Sequence, residues 1–86
     1  MKIRYNSRTW LNSLNSDSTG SVVAFDGDVT LWNKELTPST FLEISDCRNK
    51  IRLHMNEDDN KEHFIQKMTI LKDEIQLFIN HLERTR

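Results

Sequence analysis

From Phe64 onward the apolar residues Phe64, Met68, Leu71, Ile75, Phe78 and Leu82 follow one another at intervals of 4, 3, 4, 3 and 4. That spacing sets six side chains on one stripe of an α-helix and does not fit the period of two that a strand needs. Ile65 and Ile79 widen one flank of the stripe. Asn56 or Asp58 can cap the start, with Glu57, Asp58 and Asp59 at the positive end of the helix dipole and Arg84 and Arg86 near the negative end. The pattern predicts a helix over about 58–84. Its stripe is expected to pack on the protein's own sheet, or to be shared with a second copy in a homodimer. Ile70 and Leu77, seven residues apart on a second face, are a further seat for a partner.

Upstream of Asn56 the pattern changes to short apolar runs separated by turn-formers, which reads as strands. Met1 to Tyr5 alternates, with Ile3 and Tyr5 on one side and Lys2 and Arg4 on the other. Ser7 can cap a short helical turn near residues 7–14 that carries Trp10, Leu11 and Leu14. Strands are expected over 21–25, 28–32, 40–44 and 50–55, with Pro38 in the loop between the second and third of these and a turn around 45–49. In the last strand Ile51, Leu53 and Met55 share one face, and Lys50, Arg52 and His54 share the other. The expected fold class is α+β: an antiparallel meander of four to five strands followed by one long C-terminal helix packed on the sheet, all within a single domain.

The stretch from Val22 to Trp32, VVAFDGDVTLW, admits two structures. It resembles the first motif of haloacid-dehalogenase-type phosphatases, a hydrophobic strand ending in D-x-D-x-T, over 11 of 86 residues. The resemblance implies Asp26 as nucleophile, Asp28 as general acid and base, and a bound magnesium ion. That family's later motifs stand at the ends of parallel strands, each joined to the next by a crossover of about a dozen residues. The segments after Trp32 are too short for such crossovers. Asp-Gly between alternating apolar residues is also a strong hairpin signal, because a type I′ turn needs positive φ at both central positions. A turn at Asp26-Gly27 pairs Phe25 with Asp28 and Ala24 with Val29. It gathers Val22, Ala24, Val29 and Leu31 on the core face with Leu42, Ile44, Ile51 and Leu53, and turns Phe25 and Trp32 outward. The hairpin is the structure expected.

Other chemistry finds little support. Cys47, His54, His63 and His81 show no zinc-ligand spacing, and no serine or cysteine has an evident base. No catalytic residue, metal or cofactor is expected, and the protein is not expected to be an enzyme. A net charge of −1 gives no global basic field to gather nucleic acid. Cys47 is the only cysteine, and no signal-peptide or membrane-length apolar run is present, so a cytoplasmic location away from membranes is expected. One Ala, one Pro and two Gly against eight Asn suggest an AT-rich genome and hence a phage or mobile element. The function expected is a small protein-binding module, an inhibitor or modulator of a host or defence protein in the host cytoplasm. Its candidate partner-binding residues are Phe25, Trp32, Lys50, Arg52 and His54. The alternative is a nucleic-acid-binding or regulatory module using the basic strand face of Lys50, Arg52 and His54, joined by Lys2 and Arg4 if the terminal strand lies alongside.

Overall fold

The computed structural model describes residues 2–17, 19–30, 34–56 and 60–85. Within them the chain runs β1 (Ile3–Trp10), β2 (Gly20–Thr30), β3 (Leu36–Asp46), β4 (Asn49–His54) and α1 (Lys61–Thr85). The four strands form one antiparallel sheet in the order β1-β2-β3-β4, so every strand lies beside its neighbour in sequence. A four-stranded antiparallel meander followed by one long helix is the α+β arrangement expected. Residues Met1–Met55 and Asn56–Arg86 form two compact units.

The hairpin expected at Asp26-Gly27 is absent. β2 is a single strand of 11 residues, and Asp26 and Gly27 sit inside it, opposite Thr40 and Ser39 of β3. Neither has positive φ. What distinguishes Gly27 is the approach of β1. A Cβ there would lie 2.8 Å from the Lys2 carbonyl oxygen and 3.1 Å from the Ile3 Cα. The pairing of β1 with β2 slips between Ile3 and Tyr5, and the Asp28 amide donates to the Lys2 carbonyl at 2.8 Å. Glycine therefore makes room for a β-bulge instead of turning the chain. Asp26 has a role of its own as an acceptor, described below.

One unbroken β2 changes the side-chain sorting, since strand residues alternate between faces. Val22 and Ala24 stand opposite Ile44 and Leu42, which in turn stand opposite Ile51 and Leu53. These six form the apolar face expected for them. Val29 falls on the other face, opposite Thr37, because without a two-residue turn its parity is that of Phe25. Leu31 and Trp32 lie outside the described residues. No described apolar side chain is fully buried, and Ile51 is 58% exposed. The buried polar residue Ser21 is matched across the strands by a hydroxyl contact of 2.9 Å with Ser45.

The helical turn expected near residues 7–14 is also absent. β1 continues through Arg8, Thr9 and Trp10, paired with Val23, Val22 and Ser21. Ladder bonds to β2 replace the single local bond that a Ser7 cap would have supplied. Pro38, expected in a loop, lies within β3 opposite Asp28. The turn between β3 and β4 holds Cys47 and Arg48 between the paired Asp46 and Asn49, with Cys47 at φ 55°. α1 starts at Lys61 because Asn60 caps it: the His63 amide donates to Asn60 Oδ1 at 2.8 Å. Asp58, one of the caps expected, lies outside the described residues, and Asn56 is upstream of the observed cap. No residue of α1 is buried.

Candidate docking face

The pairing register places Phe25, Lys50, Arg52 and His54 on one face of the sheet. Phe25 stands opposite Phe41, and Phe41 opposite His54. The next row holds Arg8, Val23, Glu43 and Arg52, and the row after it Trp10, Ser21, Ser45 and Lys50. Four of the five residues expected to bind a partner thus converge, and the fifth, Trp32, lies outside the described residues. Lys2 and Arg4 do not join the basic row. β1 borders β2 and not β4, and Arg4 turns to the opposite face.

Contacts among these side chains build two cation–aromatic clusters. The Phe25 and Phe41 rings stack with centroids 5.3 Å apart and planes inclined by 19°. The Arg52 guanidinium carbon lies 3.9 Å from the Phe41 centroid, on a ring that also stacks on Phe25. On the outer strand Arg8 stands over Trp10 at 5.6 Å. Trp10 is 62% exposed and borders a cavity of about 210 Å³, with Leu14 and Gly20 also in its lining. Glu43 sits among the cations, 3.4 Å from Arg52 and 3.9 Å from Lys50. Arg8, Lys50 and Arg52 still outnumber it by two charges on these rows, in a chain whose net charge is −1.

Alternation alone made Phe41 and Glu43 findable, since they flank Leu42 on the face opposite Leu42 and Ile44. Arg8 and Trp10 were concealed by the expectation of a helical turn.

On the other face the acids of the phosphatase-like motif serve a structural purpose. Arg4 donates to Asp26 through Nε at 3.2 Å and Nη2 at 3.1 Å, and its Nη1 lies 3.9 Å from Asp28. Thr40 donates to Asp26 Oδ1 at 2.8 Å. The hydrogen bond to Asp26 raises the Arg4 pKa above its ordinary value, helped by the charges of Asp26 and Asp28 and opposed by desolvation. The sheet around these acids is antiparallel throughout, whereas the phosphatase family needs parallel strands. Among the described residues no three His, Cys, Asp or Glu side chains gather as a metal site, and no helix is long and apolar enough to cross a membrane. No family model, no curated protein and no solved structure matches this chain.

Proposed function

We propose that the protein is a small non-catalytic module that docks another protein on the sheet face carrying Phe25, Phe41, Arg52, Arg8 and Trp10. The observation that supports this reading is the Arg52–Phe41–Phe25 column beside the exposed Arg8–Trp10 pair. Aromatic and arginine side chains dominate interface hot spots, because each offers a large contact area with a directional polar group. The cavity next to Trp10 adds an apolar recess of the kind that receives an anchoring side chain. A partner with an acidic rim fits the excess of positive charge. A phage or mobile-element setting, with a host or defence protein as target, rests on composition alone.

Nucleic acid on the same face is the competing reading, supported by that charge excess. Two features weigh against it. Glu43 already engages Lys50 and Arg52, and one ring of the stack, Phe41, is taken up by Phe25 and Arg52, which leaves little platform for a base. Self-association through α1 is a second interaction, favoured by its apolar stripe with no buried residue.

The test is capture from a lysate of the cell that carries the gene, then binding to the purified captured protein. Wild type and a Thr9→Ala control on the other face should retain one protein that Arg8→Glu/Arg52→Glu loses. Equal capture by all three, or loss to a single-stranded oligonucleotide competitor at physiological salt, would overturn the proposal.

A further inference from the structure

α1 is 25 residues long, roughly 37 Å at the rise of an α-helix. Its stripe sorts into heptad positions, with Met68, Ile75 and Leu82 alternating with Phe64, Leu71 and Phe78. Phe78, Ile75 and Ile65 are 59%, 48% and 52% exposed. The back of the helix carries Gln66, Asp73 and Asn80, with Gln76 donating to Asn80 at 2.9 Å.

We propose that α1 pairs antiparallel with α1 of a second copy, about a two-fold axis at the level of Asp73. This rests on the self-association reading and adds its orientation and its contacts. In that register Phe64 meets Leu82 of the second copy, Met68 meets Phe78, and Leu71 meets Ile75, so each of the six stripe residues has an apolar counterpart, and only Lys61 and Thr85 at the ends of the seam are polar. The flanks choose between the two orientations. Antiparallel pairing sets Ile65 against Ile79 and Lys67 against His81, each twice by symmetry. Parallel pairing instead sets Lys67 against Lys72 twice and leaves Ile79 facing Glu74. Like charges meet in the antiparallel form only beside the axis, Lys72 with its copy on one flank and Glu74 with its copy on the other. The Lys72 ammonium is 3.8 Å from Asp73, drawn toward the back of the helix and away from its counterpart. A stable interface takes roughly 800 Å² per partner. Phe78, Ile65, Ile75, Ile79 and Leu82 are each at least a third exposed and Phe64, Met68 and Leu71 half-buried, so the stripe supplies part of that surface.

The experiment uses the full chain in a Cys47→Ser background. Sedimentation equilibrium should show a reversible dimer, and Glu74→Gln should tighten it about twofold by removing one like-charge encounter. Leu71→Cys chains and affinity-tagged Ile75→Cys chains, mixed and oxidised, should form mainly the mixed disulfide. Phe64→Cys with Leu82→Cys repeats the measurement should the central pair fold poorly. A dimer whose Leu71→Cys chains link to themselves would overturn the antiparallel arrangement and leave self-association standing. A monomer at high concentration would overturn both.

Discussion

Arg4 holds Asp26 side-on, Nε to Oδ2 at 3.2 Å and Nη2 to Oδ1 at 3.1 Å. The pair ties β1 to the middle of β2 across the bulge, and Thr40 of β3 donates to the same carboxylate. One acid therefore joins three strands.

Asp26→Asn separates a strand acceptor from a turn residue. At the first central position of a type I′ turn asparagine is at least as good as aspartate, so a hairpin would be unharmed. In the sheet the change removes the charge that Arg4 grips. The urea midpoint should fall for Asp26→Asn, whose Oδ1 still accepts from Thr40 but whose amide N–H meets the Arg4 Nε donor, and less for Arg4→Ala, which removes those donors altogether.

Gly27→Ala should destabilise the sheet by about 1–3 kcal/mol, because the new methyl group meets backbone at Lys2 and Ile3 that yields only if the bulge shifts. Denaturant titration gives the loss, and the slowed amide exchange expected of Asp28 should be lost with it.

Asn60→Ala should cost about 1 kcal/mol of helix stability by leaving the His63 amide without its side-chain acceptor. The check is loss of helical circular dichroism on heating at a lower temperature, with Asn60→Asp close to wild type.

Cys47→Gly should stabilise the chain by up to about 1 kcal/mol, since a left-handed backbone costs an ordinary residue about 1–2 kcal/mol and glycine returns part of that gain as chain entropy. Differential scanning calorimetry would show a midpoint raised by no more than roughly 4–8 °C.

Glu43→Gln frees Lys50 and Arg52 from their shared carboxylate. Affinity for a single-stranded oligonucleotide, read by fluorescence anisotropy, should rise above that of wild type. Its salt dependence should steepen by about one unit of log–log slope. An unchanged variant would show that Glu43 does not restrain the cations.

The helix was legible because six apolar residues kept one spacing over five intervals, which tertiary context seldom overrides. The apolar face of Val22, Ala24, Leu42, Ile44, Ile51 and Leu53 was legible for the same reason, each pair of residues being two apart on its own strand. Asp26 and Gly27 misled because their turn propensity is local, while the partners that keep them extended, Arg4 and Thr40, are 22 and 14 residues away. The error carried to Val29, whose face depends on whether two residues are spent on a turn. Arg8 and Trp10 were missed because pairing with β2, and not local propensity, draws β1 out to its full length.

Cys47 projects from the turn between β3 and β4, and its amide donates to Thr19 at the end of the sheet where the Trp10 row lies. It is the chain's only cysteine and it is exposed. A maleimide dye would therefore attach at one place, next to the row of Trp10 and Lys50, with no substitution needed. Its emission should change when a protein settles on that face, so the native thiol can serve as an optical reporter of docking.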